Sequence, residues 1–220
     1  MIDTKQKIMD TAVRVFAEQG YGGTSLRHII AEAQVNLAAI HYHFGSKEEL
    51  LDAAIGQKVR PANVERLKRL GEIEARAAGG PAALEEILEA FLGPAMLAAS
   101  EDAEFPRMMG RLIGEGLMPA VARKHFAEVG RRFTVALRRE LPDLSEAEVA
   151  WRVHFLVGAM AHCLCRGPED WQGQRTLDPA EMVKELVIFL AAGFRAPSAL
   201  AAPSGAMRTD ERLEVTSREK

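Results

Sequence analysis

The side chains best suited to specific chemistry lie close together between residues 37 and 47. Ala38 and Ala39 are small enough to allow close approach of another molecule, and their methyl groups can contact the methyl group of thymine. His41 and Tyr42 can donate or accept hydrogen bonds. This mixture is typical of a surface that contacts the edges of base pairs in the major groove of DNA.

A short helix is needed to present these side chains, and the sequence predicts one that ends near Phe44. Asn36 is suited to cap its N-terminus. Val35, Ile40 and Phe44 have the spacing of a buried face, which leaves Leu37 on the outer surface with the residues named above.

Two further helices are predicted before this one. The first covers residues 4–19, with Asp3 and Gln6 as a capping box and Gly20 at its C-terminal end. The second opens at Ser25 and is followed by a tight turn. Two short helices that are braced by a longer one form a helix-turn-helix unit, in which the second short helix enters the major groove.

A fourth helix is predicted from Ser46, with Glu49 at the capping-box position, to about Val59. Pro61 is expected to break or kink it, because proline removes a backbone hydrogen bond. This helix is the expected mechanical link between the N-terminal unit and the rest of the chain.

The charge balance gives no strong electrostatic signal for nucleic acid. The whole chain has a formal net charge of −3, and residues 1–60 contain seven basic and seven acidic residues. Because phosphate neutralisation supplies most non-specific affinity, that affinity is expected to be modest.

Residues 4–55 closely resemble the N-terminal head of the TetR family of bacterial transcription regulators. The resemblance is carried by residues 22–36 and 41–51, and its most specific part is Tyr42-His43-Phe44 followed by Ser46-Lys47 and Leu50. It implies an all-α fold with a three-helix head, a helical body that binds an effector, and a helix pair that dimerises. Together the residues and the resemblance predict these DNA contacts: Ser25, Arg27, His28, Leu37, Ala38, Ala39, His41, Tyr42, His43 and Lys47.

Two positions depart from the family pattern. Gln34 stands in the turn where the family usually has glycine, so a left-handed backbone there would be mildly strained. His41 stands where tyrosine is common, which leaves base or phosphate preference open at that position. The run Asn36-Leu37-Ala38-Ala39-Ile40 also looks like the PsrA-like branch, whose members respond to fatty acids or their thioesters.

The remaining chain is expected to form five helices, at residues 81–99, 103–117, 119–141, 145–166 and 179–196. We therefore predict a DNA-binding domain at 1–50, an effector-binding and dimerisation domain at 51–196, and a disordered tail at 197–220. The tail prediction follows from its composition of Ala, Pro, Ser and charged residues without helical periodicity.

Methionine and aromatic residues cluster in the first two of these helices, and methionine adapts its shape to flexible apolar ligands. The predicted pocket residues are Phe91, Met96, Phe105, Met108, Met109, Arg111 and Leu112. For any single apolar member, ordinary core packing is the simpler explanation. Arg107 and Arg111 could hold an anionic head group, although a solvated surface pair is the alternative.

Small residues on the last two helices would allow close approach of a second copy. The predicted dimer residues are Val157, Gly158, Ala161, Leu186, Leu190 and Gly193. Close packing within one subunit remains the alternative. A dimer has a physical reason, because two-fold symmetry doubles the DNA site that one short helix can read.

Other functional classes find little support in the residues. None of the six histidines has glutamate three residues before it, which argues against a di-iron enzyme, and no nucleophile, metalloprotease or phosphate-loop motif is present. An architectural DNA-binding protein would need a basic surface. Cys163 and Cys165 form no redox or disulfide motif, and no apolar run is long enough to span a membrane. We predict a cytoplasmic protein that is not an enzyme and has no cofactor.

Overall fold

The computed structural model describes residues 3–80, 82–165 and 177–198, and within these ranges the chain forms ten helices and no strand. The helices are α1 (Thr4–Gly23), α2 (Leu26–Ala33), α3 (Leu37–His43), α4 (Lys47–Arg76), α5 (Leu84–Glu101), α6 (Glu104–Gly114), α7 (Met118–His125), α8 (Ala127–Glu140), α9 (Glu146–Cys165) and α10 (Pro179–Arg195). The all-α prediction is confirmed. The predicted helix start at Pro81, the predicted helix end at residue 166 and residues 199–220 of the predicted tail lie outside the described residues.

Side-chain caps define the helices of the N-terminal head. Ser25 caps α2, and the Asn36 side chain accepts a 2.7 Å hydrogen bond from the Ala39 N–H at the start of α3. Ser46 and Glu49 form the predicted capping box at the start of α4. These caps are determined by neighbouring residues, so the sequence predicted them well.

The first helix differs from its prediction at both ends. Asp3 caps α1 alone, by accepting a hydrogen bond from the Lys5 N–H, while the Gln6 side chain donates to Asp10. The predicted Asp3–Gln6 capping box is therefore wrong. Gly20 does interrupt α1 with a φ of 74°, but helical residues continue to Gly23.

Pro61 does not end the fourth helix, so the predicted helix end near Val59 was wrong. Helix α4 runs through Pro61 and continues to Arg76. Beyond the proline it buries Leu70 and Ile73 in the body core, and this packing offsets the lost backbone hydrogen bond. The head and the body therefore share one long helix.

The predicted helix at residues 119–141 is two helices. Phe126 separates α7 from α8 with φ −123° and ψ 1°, values outside the helical range. The break lets α7 follow α4 while α8 packs against α5 and α9. This change of direction is a tertiary effect that helical periodicity could not reveal.

The described part of the chain contains two apolar cores. The body core lies among α4, α5, α8, α9 and α10. The head core lies among α1–α4, but it also includes Met108 and Leu112 of α6 and Val121 of α7. In the described ranges, none of the helices combines the length and apolarity that crossing a membrane requires.

Candidate DNA-binding surface, cavity and dimer face

Helix α3 presents the predicted recognition residues to solvent. Leu37, Ala38, His41 and Tyr42 are exposed, and Tyr42 is 85% exposed, while Ile40 on the opposite face is fully buried in the head core. Exposure of a tyrosine and a leucine on one short helix is typical of an interaction surface. Predicted contacts Ala39 and His43 are half-buried.

Lys47 is less free than the sequence implied. Its ammonium group donates to the backbone carbonyls of Tyr21 (3.0 Å) and Thr24 (2.9 Å) and lies 4.1 Å from the centroid of the Tyr21 ring. Burial, followed by the Glu48 carboxylate, raises the pKa of Tyr21. Lys47 therefore fixes the start of α4 to the end of α1, and its charge adds to the positive N-terminus of α4.

The first turn of α2 holds the other predicted contacts. Arg27 is exposed, and Ser25 accepts from the His28 N–H, so that its hydroxyl is engaged as a cap. His28 Nε2 lies 3.8 Å from Glu32, whose carboxylate also accepts a 2.7 Å hydrogen bond from Arg14. That bond lowers the pKa of Glu32. Glu32 is thus paired with Arg14 beside this turn.

Gln34 adopts the left-handed conformation that the family resemblance implied, with φ 50° and ψ 46°. It ends α2, and its backbone N–H donates to Ala31 and Ile30. The turn between α2 and α3 therefore has a backbone geometry that favours glycine, although this chain has a glutamine at that position.

A cavity of about 580 Å³ lies among α4–α9 in the described chain. Of the predicted pocket residues, Phe91, Phe105 and Met109 line it. Met96, Met108 and Leu112 do not, because they are buried in the two cores. Arg111 lies outside the cavity and donates to the Glu18 carbonyl at the end of α1. Helical spacing alone could not distinguish cavity-facing from core-facing positions.

Sequence reasoning missed a buried charged residue in the wall of this cavity, Arg66. Arg66 is only 2% exposed, and its Nε donates a 2.7 Å hydrogen bond to the Phe91 carbonyl. A usable signal existed, because Arg66 continues the helical stripe of Val59, Leu70 and Ile73.

Helix α6 connects the cavity to the head. Phe105, Met109 and Ile113 line the cavity, whereas the opposite face packs into the head core. At its C-terminal end, the Glu115 carboxylate accepts hydrogen bonds of 2.9 Å from the backbone N–H groups of Tyr21 and of Gly22. One short helix therefore contacts both the cavity and, through Glu115, the end of α1. No sequence signal identified Glu115.

Helices α9 and α10 leave an apolar face uncovered in the single chain. Its large members are Trp151, Phe155, Ile188 and Phe189. Of the predicted dimer residues, Gly158 and Gly193 lie exposed with no atom within 4 Å of an added Cβ, Val157 is 38% exposed, and Ala161 lines the cavity. Leu186 and Leu190 instead belong to the body core. The missed aromatic residues could have been found as a second apolar stripe, opposite the core stripe.

A helix-turn-helix head that shares a long helix with a larger helical body around a cavity defines the class of a ligand-responsive DNA-binding fold. Two family models support this. One, described as bacterial regulatory proteins of the tetR family, matches residues 8–54, and the other, described as a tetracyclin repressor-like C-terminal domain, matches residues 89–193. Together they match most of the chain. The chain belongs to the TetR family.

Individual curated relatives match over about a quarter of this chain. The chain is 41% identical over 56 residues to the nicotine-responsive transcriptional repressor HdnoR of Paenarthrobacter nicotinovorans, covering 26% of this chain and 29% of that repressor. It is 37% identical over 51 residues to the biofilm operon repressor IcaR of Staphylococcus aureus (strain Newman), covering 23% and 27%. The chain thus spans less than a third of the length of these relatives.

Solved structures match over nearly the whole chain, and they show the fold alone. A TetR family regulator from Shewanella sp. PV-4 has a TM-score of 0.61 at 18% identity, covering 85% of this chain and 95% of that one. The fatty acid degradation regulator FadR from Bacillus halodurans has a TM-score of 0.62 at 16% identity, covering 90% and 99%.

Proposed function

We propose that this chain is a sequence-specific DNA-binding transcriptional regulator, not an enzyme, and that it binds a near-palindromic operator as a homodimer in the cytoplasm. The observation that carries the proposal is the exposed outer face of α3. On the opposite face of this helix, Ile40 is fully buried in the head core. One helix of this length reads few base pairs, so a two-fold pair of heads is needed for a specific site.

The contacts divide by chemistry. Leu37, Ala38 and Ala39 offer apolar contacts to thymine methyl groups, and His41 and Tyr42 offer hydrogen bonds to base edges. Backbone phosphates would be met by the remaining predicted contacts, which are Ser25, Arg27, His28, His43 and Lys47. Because the head is electrically neutral overall, we expect a weak dependence of affinity on salt for a DNA-binding protein.

The body, residues 51–196, is proposed to dimerise and to bind an apolar effector that releases the protein from DNA. The apolar face of α9 and α10 is suited to a second copy, and the cavity volume falls within the range of about 300–1,000 Å³ for small-molecule sites. The resemblance to the PsrA-like branch favours an acyl compound. Release requires that the effector binds one arrangement of the heads better than the other. Helices α4 and α6 both connect cavity to head and would transmit this difference.

The test is selection of bound fragments from the source genome by purified full-length protein, with and without a long-chain fatty acid or acyl-CoA. We expect a near-palindromic site that is lost when the acyl compound is present. A Tyr42→Ala variant should lose the sequence preference, while Tyr21→Phe, which changes a tyrosine away from the surface of α3, serves as the matched control. Absence of any enriched sequence at low salt would refute the regulator proposal. A palindrome that is unaffected by the compounds would remove only the acyl effector.

A further inference from the structure

Arg66 places a buried positive charge in the wall of the apolar cavity. Besides Phe91, it donates from Nη1 to the Asn63 side-chain oxygen (3.1 Å) and from Nη2 to the Met160 sulfur (3.4 Å). Its guanidinium carbon lies 4.4 Å from the centroid of the Phe91 ring. All of these partners are neutral, and within the described part of the chain Arg66 forms no ion pair.

A buried charge without a counter-ion is unusual, because removing it from water costs several kcal/mol. Burial lowers the pKa of Arg66 only to about 10, so the side chain stays cationic at neutral pH. The other cation that lines the cavity, Lys58, is already paired with Asp102 at 2.7 Å. Of the two cations that line the cavity, Arg66 is therefore the buried one, and it has no ionic partner among the described residues.

The guanidinium also keeps unused donors. A guanidinium has five N–H groups, and three of them donate to the neutral acceptors of Arg66. Two remain, and a carboxylate is the acceptor that best matches an arginine in charge and geometry. Arg107 and Arg111, the arginines suggested by the sequence, do not line the cavity.

We infer that the effector is an apolar molecule with one free carboxylate, and that this carboxylate pairs with Arg66 while the apolar part fills the cavity. The inference rests on the proposed function and narrows its effector. A free fatty acid carries this carboxylate. In a coenzyme A thioester the carboxyl group has become part of the thioester, so no carboxylate remains at the end of the acyl chain.

Arg66 also has a structural role that the test must separate. Its hydrogen bond to the Phe91 carbonyl joins α4 to α5, so a substitution at Arg66 removes a contact between two helices of the body. Arg66→Gln retains a donor without the charge, and Arg66→Lys retains the charge.

The experiment is calorimetric titration of the full-length protein with dodecanoate and with dodecan-1-ol, which have the same chain length. We expect dodecanoate to bind at least about tenfold more tightly, a factor that corresponds to about 1.4 kcal/mol and is at the low end for hydrogen bonds to charged groups. Arg66→Gln should abolish the preference, and Arg66→Lys should keep most of it. Arg69→Gln is the matched control, because Arg69 pairs with Glu65 on the same helix and does not line the cavity.

Equal affinity of the wild-type protein for the two compounds, or binding of neither, would overturn the inference without reference to any variant. Dodecanoate binding that is unchanged in a folded Arg66→Gln protein would overturn it as well. Selection of DNA fragments in the absence of any effector tests the proposed function independently of the carboxylate inference. A protein that selects an operator but shows no carboxylate preference loses only the inference, and one that prefers dodecanoate but selects no DNA sequence loses only the regulator proposal.

Discussion

Replacing Gln34 with glycine should stabilise the protein. Gln34 is exposed, holds a φ of 50°, and ends α2 through its backbone alone. A residue with a Cβ costs about 1–2 kcal/mol in this conformation, whereas glycine adopts it freely. Glycine also adds about 0.5–1 kcal/mol of conformational entropy to the unfolded chain, which offsets part of the gain. The expected net increase in the free energy of unfolding is about 0.5–1 kcal/mol.

The assay is thermal and urea unfolding of wild type and Gln34→Gly at equal protein concentration, since the proposed dimer would make stability depend on concentration. For a chain of this size, the gain corresponds to a rise in Tm of about 2–4 °C per kcal/mol. Gln34→Ala controls for loss of the side chain and should change the stability little, because it keeps the Cβ. Ala31→Gly controls for glycine in an ordinary helical position and should destabilise by about 1 kcal/mol.

The reasoning would be refuted if Gln34→Gly and Gln34→Ala had the same stability, because the left-handed backbone would then store no strain. It would also be refuted if Gln34→Gly were destabilised as much as Ala31→Gly. The sequence preference for DNA should be the same in all three variants, because none alters the outer face of α3.

Three further predictions concern the contacts between elements. Glu115→Ala removes two hydrogen bonds to the end of α1 and should lower the free energy of unfolding by about 1–2 kcal/mol in urea, and it should also weaken the effect of a bound effector on DNA affinity. The Arg195 guanidinium holds the pKa of Glu85 at about 2, so its stabilisation is present above about pH 4.5 and is lost as the pH falls toward 2. Glu85→Gln should therefore reduce the loss of stability over that pH range, and the difference in the free energy of unfolding should be less than about 1 kcal/mol because the pair is half-exposed. Phe189→Asp places a charge on the apolar face of α10 and should yield a monomer in sedimentation velocity. Its preference for a full palindrome over a half-site should be smaller than that of the wild type.

Each of these has an outcome that contradicts it. Full effector response in Glu115→Ala would exclude the end of α6 as part of the link to the head. Equal acid sensitivity of Glu85→Gln and wild type would show that the ion pair adds no stability. A Phe189→Asp protein that remains dimeric would place the interface elsewhere, and Glu185→Ala on the same exposed side of α10 is the control for surface substitution.

Local signals in the sequence predicted the caps of α2, α3 and α4, whereas the errors at Pro61 and Phe126 follow from tertiary packing. The caps of α2, α3 and α4 depend on residues three positions apart, which a sequence shows directly. The continuation of α4 through Pro61 and the break at Phe126 depend on what lies against each helix. Proline and periodicity rules describe an isolated helix, so they could not anticipate either result.

The same difference between local signals and tertiary packing applies to the candidate site. The exposed face of α3 could be predicted because the apolar positions of a short helix define its opposite face. The cavity could not, because a methionine such as Met108 satisfies the same spacing in a filled core as beside an open space. Arg66 was missed for a different reason, since arginine is ordinarily assigned to the surface.

The head core includes side chains from α6 and α7, and this affects how heads could be exchanged between related proteins. Met108, Leu112 and Val121 complete that core although they come from far along the chain. A chimera joined at residue 50 would place a foreign set of head side chains against these three, leaving voids or overlaps that typically cost several kcal/mol. A new operator preference is therefore better introduced by changing the outward residues of α3 one at a time than by transplanting a whole head.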